Sequence, residues 1–220
     1  MSTLPICTIL GAGPGMGLAL AQQFGALGYQ LVLVARRAEN LKSLEAELLR
    51  AGIPVTTMSA DLGDDKQVAS LFNVIKEQVG ATEVLIYNAS AYRAVTATQV
   101  TMADLKADLA LSVGGAIAAT QAVLPDMTTH GKGTILITGG GSAIIPMPGA
   151  ATLSMGKAAL RNLALQLHTE LLPKGIHVAT VTICGWIKPD THFAPTKIAK
   201  VYAELHQQPV GAWQAEYMYQ

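Results

Sequence analysis

The feature of the sequence that most constrains the fold is a glycine-rich turn near the amino terminus. Gly11, Gly15 and Gly17 follow the spacing G-x-x-x-G-x-G. A short apolar run at residues 6–10 precedes the turn, and a segment rich in Ala and Leu leads from it to a second apolar run at residues 31–35. This order predicts a strand, a turn, a helix and a second strand, which together open a parallel α/β sheet.

The turn is suited to hold a phosphate group. Gly11 permits a sharp change of direction because glycine has no Cβ, and a ligand can approach the backbone near Gly15. Gly17 is expected to let the helix lie close to the strands. The first N–H groups of that helix and its dipole favour negative charge. We therefore predict that a dinucleotide pyrophosphate binds at Gly11, Gly13, Gly15, Met16 and Gly17; a merely structural turn is the alternative.

A basic pair, Arg36 and Arg37, directly follows the second predicted strand. In dinucleotide folds this strand end meets the adenosine ribose, where an acid accepts the 2′-hydroxyl of NAD and an arginine pairs with the 2′-phosphate of NADP. After the strand, no Asp or Glu occurs before Glu39. The sequence therefore predicts NADP(H) as the cofactor in preference to NAD(H); an exposed basic pair that opens the next helix is the alternative.

The composition bounds the class of partner. The 220 residues carry 15 basic and 15 acidic side chains, so nothing indicates a nucleic acid or an anionic membrane. We expect a small molecule or another protein subunit, and no metal site. Cys7 and Cys184 lie in apolar runs that resemble strands, which predicts buried thiols and a cytoplasmic location. The amino terminus lacks a basic leader, and no uninterrupted stretch of about 18 apolar residues resembles a membrane span.

Apolar periodicity predicts alternating strands and helices along the rest of the chain. The predicted strands are residues 53–59, 83–87, 133–138, 176–183 and, at an edge, 213–219, and the predicted helices are residues 38–52, 64–79, 101–127, 150–172 and 195–206. No linker, repeat or low-complexity segment interrupts them. We predict a single α/β domain over residues 1–220, doubly wound in the Rossmann manner, with a central parallel sheet of about seven strands and helices on both faces.

With these elements in order, the chain resembles the short-chain dehydrogenase/reductase family over nearly its whole length. The matching segments are the turn G-A-G-P-G-M-G, Asp61-Leu62 after the third strand, Y-N-A-S at residues 87–90 and S-M-G-K-A-A at residues 154–159. The resemblance implies an oxidoreductase in which Asp61 and Leu62 flank the adenine ring.

The resemblance assigns further cofactor contacts. It implies that Asn88 and Ala89 line the cofactor cleft and that Lys157 holds the hydroxyls of the nicotinamide ribose. The family usually has a Pro-Gly pair after the sixth strand, which is Cys184-Gly185 here, and Gly185 and Ile187 are taken as cofactor-binding too. The segment 185–193 lies over the substrate cleft in the family, yet nothing in the sequence selects a particular substrate.

The same resemblance identifies departures in the catalytic set. The family places a tyrosine four residues before the lysine, and here that position is Leu153. The family serine about thirteen residues before that tyrosine corresponds to Gly140, and the asparagine of the long helix corresponds to Ser112. In the enoyl-reductase branch the tyrosine stands seven residues before the lysine, which is Ala150 here. Of the usual catalytic side chains, Lys157 alone is present.

Two other side chains are candidates to act with Lys157. Ser142 lies two positions from the missing serine on a glycine run, and Tyr92 follows the Asn88 segment in a loop that borders the substrate cleft in the family. We therefore name Lys157, Ser142 and Tyr92 as candidate catalytic residues. The alternatives are that Ser142 is a loop residue and that Tyr92 lines or packs the cleft.

Two functions fit this pattern. The first is an NADP(H)-dependent oxidoreductase that transfers hydride to or from a small carbonyl or alcohol substrate, with water, the substrate or Tyr92 as the proton donor. The second is a catalytically inactive NADP(H)-binding sensor or partner subunit, which predicts intact cofactor residues beside a degraded catalytic set. Whether the chain turns over substrate is left open by the sequence.

The two longest predicted helices, residues 101–127 and 150–172, carry small and apolar residues on more than one face. A helix that is apolar nearly all round must be covered on its outer side as well. In the family the corresponding helices pair between subunits. We predict a homodimer or homotetramer that forms through them.

Overall fold

The structure, a computed structural model, describes residues 4–220 and is built on one parallel sheet. The strands are β1 (Ile6–Leu10), β2 (Gln30–Ala35), β3 (Val55–Ser59), β4 (Thr82–Tyr87), β5 (Gly133–Thr138), β6 (Ile176–Ile183) and β7 (Glu216–Tyr219). They lie in the order β3-β2-β1-β4-β5-β6-β7, and every neighbouring pair is parallel. The predicted doubly wound sheet of about seven strands is confirmed.

Helices cover both faces of this sheet. They are α1 (Met16–Ala26), α2 (Ala38–Arg50), α3 (Asp65–Gln78), α4 (Met102–Leu109), α5 (Gly115–His130), α6 (Ala151–Leu171) and α7 (Pro195–His206). One apolar core lies under α1, α2 and α7 and includes Phe24 and Tyr202, and the other lies under α3, α5 and α6 and includes Leu85 and Leu160. Because central strands are covered on both sides, they are apolar throughout, and β6 is buried at every position.

The strand order reverses between β1 and β4. β1 pairs with β2 on one side and with β4 on the other, so that Leu10 is in register with Val34 and with Tyr87. The chain leaves β1 toward one face of the sheet and leaves β4 toward the other, which opens a crevice at the carboxyl ends of these two strands. Ligands of open parallel sheets bind at such a switch point. The glycine turn after β1 and Asn88 after β4 both stand there.

One continuous helix spans Met102–His130, because a π-helical turn, Ala110–Gly114, joins α4 to α5. The hydroxyl of Tyr87, at the end of β4, donates to the carbonyl of Leu111 in this turn. A side chain on Gly115 would collide with that same hydroxyl and with the carbonyl of Leu62. These contacts hold the widened turn against the sheet. The sequence predicts a uniform helix over residues 101–127 and misses the turn, which depends on partners distant along the chain.

The helix Met102–His130 has 29 residues, and an 18-residue window within it has a mean hydropathy of 1.4, so by length and composition it could cross a membrane. Ser112, Thr120 and Gln121 interrupt its apolar residues, so it is not an uninterrupted apolar stretch of about 18 residues. α5 packs on α3 and on β4, which accounts for the apolar residues along one side. The cytoplasmic location stays a prediction.

The remaining predicted elements are found with small changes at their ends. Cys7 is fully buried in β1, whereas Cys184 follows β6 instead of lying within it and is half-buried. The predicted edge strand at 213–219 begins only at Glu216, where pairing with Thr180 of β6 starts, and the Trp213 ring before it stacks on His177 with centroids 5.1 Å apart. Its indole N–H donates to the Gln208 carbonyl at 3.0 Å, so Trp213 closes the turn before β7.

Candidate cofactor and active site

The glycine turn needs glycine at Gly11 for two reasons. Its φ is +85°, a left-handed conformation that side chains disfavour. A Cβ there would also lie 2.6 Å from the Cα of Ala89, which is closer than real atoms approach. The N–H groups of Gly11 and Ala12 both donate to the Val34 carbonyl at 2.9 Å. The turn is thereby fixed to β2 on one side and lies directly against the segment after β4 on the other.

The other glycines of the turn differ in what surrounds them. A Cβ on Gly17 would lie 2.8 Å from the Cα of Ala12, so this glycine lets α1 approach the turn itself, whereas the sequence predicts a close approach to the strands. A Cβ added at Gly13 or Gly15 would have no atom of the described residues within 4 Å. α1 begins after Gly15 without a side-chain cap. The helix start therefore offers an open surface to an anion.

Asn88 connects the turn to the centre of the sheet. Its Nδ2 donates to the Gly11 carbonyl at 2.9 Å, and its Oδ1 accepts from the Thr138 hydroxyl at 2.9 Å. The Thr138 Oγ1 in turn accepts from the Tyr202 hydroxyl at 2.8 Å. One chain of hydrogen bonds thus joins the turn after β1, the segment after β4, the end of β5 and α7. In such a network each group has a fixed orientation before any ligand binds.

Lys157 is connected to this chain of hydrogen bonds through Thr138. Its side chain comes from α6 and is 7% exposed, and its Nζ donates to the Thr138 carbonyl at 2.6 Å. No salt bridge joins this ammonium to a carboxylate among residues 4–220. Burial lowers the pKa of Lys157 from 10.5 to about 8, because an ammonium is poorly solvated there. At neutral pH the group is mostly protonated, and its charge is available to a ligand.

Gly140, Leu153 and Ser112, which lie near Lys157 in space or along the chain, carry no ionisable group. A Cβ on Gly140 would lie 3.6 Å from the Cγ of Lys157, so position 140 faces the lysine stem. Leu153 is one helical turn before Lys157 on α6 and is half-buried. Ser112 is buried in the π-helical turn, where its Oγ accepts from the Ala91 N–H at 3.4 Å. Ser112 also lies beside Gly156, and a Cβ at 156 would come 3.2 Å from the serine Cβ.

The two other candidate catalytic residues stand farther out. Ser142 is half-buried in a short 3-10 turn, Gly141–Ala143, directly after β5. Tyr92 is 66% exposed in the loop after β4. Within the described chain, neither hydroxyl makes a hydrogen bond, and neither is joined to Lys157. Ser154, by contrast, is buried, and its Oγ accepts from the Met147 N–H at 3.0 Å, so it supports the loop.

Arg36 and Arg37 are both exposed at the carboxyl end of β2. No ion pair with a described residue holds either guanidinium. Asp61 is half-buried, and its carboxylate accepts from the Gly63 N–H at 2.9 Å, while Leu62 beside it is 4% exposed. These residues line the outer part of the crevice, after β2 and β3.

The segment after β6 lies on the side of the crevice opposite to β2 and β3. Gly185 packs under the ring of Phe193, which leaves no room for a side chain at 185. Ile187 is 43% exposed and Trp186 is 76% exposed. A cavity of about 540 Å³ lies between this segment and the start of α1, lined among others by Gly15 and Asp190. From this segment, Pro189 and Asp190 line the cavity, so the assignment of Gly185 and Ile187 to the cofactor stays a prediction.

Sequence reasoning missed Thr138 and Tyr202. Thr138 ends β5 and is 6% exposed, and its carbonyl and hydroxyl serve Lys157, Asn88 and Tyr202 at once. A polar residue at the carboxyl end of an apolar strand was the available signal. Tyr202 is fully buried on α7, where burial raises the pKa of its phenol far above the usual value. No sequence pattern links it to residues 64 positions away.

The doubly wound sheet, the open glycine turn at its switch point and the buried lysine beside it define a nucleotide-binding class of α/β protein. The family model described as short chain dehydrogenase matches residues 5–197, and the chain belongs to this family. It is 32% identical over 178 residues to sulfoacetaldehyde reductase 2 of Chromohalobacter salexigens, a match that covers 80% of this chain and 70% of that protein.

Other relatives differ more in length or in sequence. A very-long-chain 3-oxoacyl-CoA reductase of Coccidioides immitis is 31% identical over 179 residues, which cover 79% of this chain; this chain spans only 51% of that protein. A short-chain dehydrogenase from Rhodopseudomonas palustris superposes with a TM-score of 0.88 at 27% identity, over 98% of each chain. A metagenomic short-chain oxidoreductase in complex with NADP gives a TM-score of 0.89 at 24% identity, over 98% of this chain and 96% of that one.

Proposed function

We propose that this chain is an NADP(H)-dependent oxidoreductase that moves hydride between the nicotinamide and the carbonyl or alcohol carbon of a substrate. The observation that carries the proposal is the short path of hydrogen bonds from the open glycine turn to the buried Lys157 ammonium, through Asn88 and Thr138. Two relatives are named as reductases of a carbonyl group, in sulfoacetaldehyde and in 3-oxoacyl-CoA. One structural neighbour is described as an NADP complex.

The residues present fit this cofactor. The glycine turn leaves the space that a pyrophosphate needs, and the uncapped start of α1 supplies N–H donors. The exposed guanidinium groups of Arg36 and Arg37 suit the 2′-phosphate. When bound, the nicotinamide supplies or accepts the hydride. The residues proposed to hold it are Gly11, Gly13, Gly15, Met16, Gly17, Arg36, Arg37, Asp61, Leu62, Asn88, Ala89, Lys157, Gly185 and Ile187.

Lys157 is proposed as the group that stabilises the developing alkoxide. Its ammonium is buried and positive at neutral pH, since its pKa is about 8. A fixed charge in a poorly hydrated site stabilises a developing negative charge more strongly than the same charge does in water. Leu153 and Gly140 have no proton to give. Ser142 and Tyr92 stay as proposed hydrogen-bond donors to the substrate, and loss of a dedicated general acid typically lowers the rate by about 100- to 10,000-fold.

The cofactor assignment is tested by calorimetric titration with NADPH and NADH. We expect NADPH to bind more tightly than NADH, and an Arg36→Ala/Arg37→Ala variant to lose at least about tenfold in NADPH affinity with little change for NADH. Arg50→Ala is the matched control, because Arg50 is an exposed arginine at the far end of α2. Absence of heat with either nucleotide would overturn the proposed function.

Turnover is tested with the wild-type chain and a Leu153→Tyr variant on a panel of aldehydes and ketones. Slow NADPH oxidation by the wild type, and a rate at least about 100-fold higher in Leu153→Tyr, support an oxidoreductase that works without the usual acid. Tight NADPH binding with no turnover by the wild type, together with turnover by Leu153→Tyr, would indicate the nucleotide-binding sensor instead.

We also propose that the chain forms a homodimer or homotetramer through residues 101–127 and 150–172. Four large apolar side chains are exposed in these two segments: Met102 (65%), Ile117 (38%), Met155 (41%) and Leu172 (44%). Burial of such groups in a subunit contact would remove them from water. Light scattering should give the mass of two or four chains, and Ile117→Asp should lower it. A monomeric mass for the wild type at micromolar concentration would contradict the proposal.

A further inference from the structure

Large apolar side chains are exposed on the loops that surround Lys157. These loops follow β4, β5 and β6, three adjacent parallel strands whose carboxyl ends lie side by side. Contiguous exposed apolar groups on a protein surface mark a binding site more often than they mark chance exposure. We call the following set the apolar rim: Tyr92 (66% exposed), Ile144 (45%), Ile145 (77%), Trp186 (76%) and Ile187 (43%).

The three loops are joined to one another. The Val95 N–H donates to the Gly149 carbonyl at 2.8 Å, and the Ala151 N–H donates to the Val95 carbonyl at 3.1 Å, which connects the loop after β4 to the loop after β5. A Cβ on Gly141 would lie 3.0 Å from the Cα of Cys184, so the loop after β5 also lies against the loop after β6. The apolar rim is therefore one continuous border.

The rim begins directly at the site described above. Thr138, whose carbonyl holds the Lys157 ammonium, is the last residue before the loop that carries Ile144 and Ile145. The rest of a molecule whose reactive carbon lies near Lys157 can therefore extend along these loops. This continuity with the site favours the substrate as the occupant over an unrelated partner.

The rim offers almost no charge to a ligand. Residues 139–150 contain no charged side chain. In residues 88–100 Arg93 is the one charged residue, and it pairs with Asp104 at 2.9 Å and with Asp108 at 3.0 Å. In the loop after β6, Lys188 and Asp190 come after the apolar pair, and Asp190 lines the cavity beside Gly15. A sulfonate, carboxylate or phosphate on the substrate would find no counter-ion in the first two loops.

We infer that the substrate is a ketone or aldehyde with an extended aliphatic chain, which lies against Tyr92, Ile145 and Trp186. The inference rests on the proposed function and adds the substrate class to it. Each methylene group that the rim removes from water raises affinity about fourfold. A small anionic carbonyl compound gains nothing comparable from the rim.

The test measures binding of 2-butanone, 2-hexanone, 2-octanone and 2-decanone to the full chain in the presence of NADP⁺, by titration calorimetry. The oxidised cofactor prevents reduction of the ketone during the measurement. We expect the dissociation constant to fall about fourfold for each added methylene until the rim is covered. Pyruvate, which has an anionic group in place of a chain, should show no binding at the same concentrations.

Variants locate the binding surface. Ile145→Asp and Trp186→Ala should each weaken binding of 2-decanone by at least about tenfold while NADPH affinity is unchanged. Val210→Asp is the matched control, because Val210 is 83% exposed in the turn before β7, at the opposite end of the parallel strands from the rim. It should leave 2-decanone binding at the wild-type level.

The outcomes separate this inference from the proposed function. If NADPH binds and small anionic carbonyl compounds are reduced while no alkanone binds, the substrate class is wrong and the proposed function stands. If the alkanones bind with the expected chain-length dependence but nothing is reduced, the rim binds aliphatic chains as inferred, but as ligands instead of substrates, and the proposed oxidoreductase is wrong. If Ile145→Asp lowers the mass seen by light scattering and no alkanone binds, the rim is a subunit contact and the inference is overturned.

Discussion

Lys157 is a buried cation whose hydrogen-bond partner is a neutral backbone carbonyl. The ammonium bonds to the Thr138 carbonyl at 2.6 Å and makes no salt bridge with a carboxylate in the described part of the chain. Such a group costs stability when charged, because burial removes water that a carbonyl replaces only in part. A side chain that destabilises the fold in this way is typical of a functional site.

This cost predicts a pH dependence of folding. The pKa of Lys157 is lowered from 10.5 to about 8, so between these values the native chain binds fewer protons than the unfolded chain. The contribution of Lys157 to the free energy of unfolding therefore rises by about 3 kcal/mol as the pH increases from 8 to 10.5, and it is lost again as the pH decreases to 8. Urea unfolding at both ends of the window should show this rise in the wild type and not in Lys157→Met.

An exposed lysine gives the control for that measurement. Lys188→Met removes a solvent-exposed ammonium from the loop after β6. Its stability should follow the wild-type curve at every pH. Parallel curves for the wild type and Lys157→Met would show that burial does not perturb Lys157.

The geometry of the glycine turn predicts different effects on stability for substitutions at Gly11 and Gly13. Gly11→Ala forces a side chain into a φ of +85° and against the backbone of Ala89, so we expect it to lower the free energy of unfolding by more than about 2 kcal/mol. Gly13→Ala meets open space and should change stability by less than about 0.5 kcal/mol. Thermal unfolding measures both. Equal stability losses in the two variants would contradict the geometry of the turn.

Gly13→Ala also separates folding from binding. The added methyl group occupies the space in which a ligand would approach the turn, so NADPH affinity should fall although the protein stays folded. Calorimetric titration of this variant provides the measurement. Wild-type affinity would show that the pyrophosphate does not lie over Gly13.

Among the elements, the start of α4 follows from local sequence and the π-helical turn after it does not. The Thr-x-x-Asp pattern at Thr101 predicts a capped helix start, and Thr101 does accept from the Asp104 N–H at 3.1 Å. The turn Ala110–Gly114 is fixed instead by Tyr87 and by the close approach of Gly115 to the sheet. Such partners are far apart in sequence, so periodicity cannot reveal them. The Thr138 and Tyr202 bonds were missed for the same reason.

The cap at Thr101 is expected to contribute to the free energy of unfolding. Thr101→Ala removes the acceptor for the Asp104 N–H and a donor to the Asp104 carboxylate, so we expect a loss of about 1 kcal/mol in the free energy of unfolding. Thr128→Ala is the control, because Thr128 is exposed near the end of the same helix. Denaturant unfolding should leave this control unchanged or slightly more stable. Equal losses in both variants would show that the cap contributes nothing.

At the scale of the whole molecule, one histidine joins elements from three parts of the chain. His206, at the end of α7, bonds through Nε2 to the Tyr29 hydroxyl at 2.7 Å and through Nδ1 to the Thr134 hydroxyl at 2.9 Å. Burial lowers the pKa of His206 below 6.5. Protonation would give both ring nitrogens a hydrogen and place a charge in the core under α1 and α7.

This arrangement predicts acid sensitivity. Above pH 6.5 His206 is neutral in both states and stabilises the fold in full; as the pH falls below 6.5, the unfolded chain binds the proton first and this stability is lost. The stability difference between the wild type and His206→Gln should therefore shrink on acidification, as measured by urea unfolding. For the exposed His130, the His130→Gln variant should differ from the wild type by a constant amount. A constant difference for His206→Gln would contradict the prediction.

The carbonyl of Thr138 occupies a single hydrogen of the Lys157 ammonium, and an ammonium has three. Two N–H bonds are therefore left to an arriving molecule while the first keeps the long side chain from swinging away. A lysine that is immobilised when a ligand binds loses side-chain entropy at that step. Lys157 has already lost this entropy on folding, so ligand binding does not have to restrict it again. The side chain stands ready before its ligand arrives.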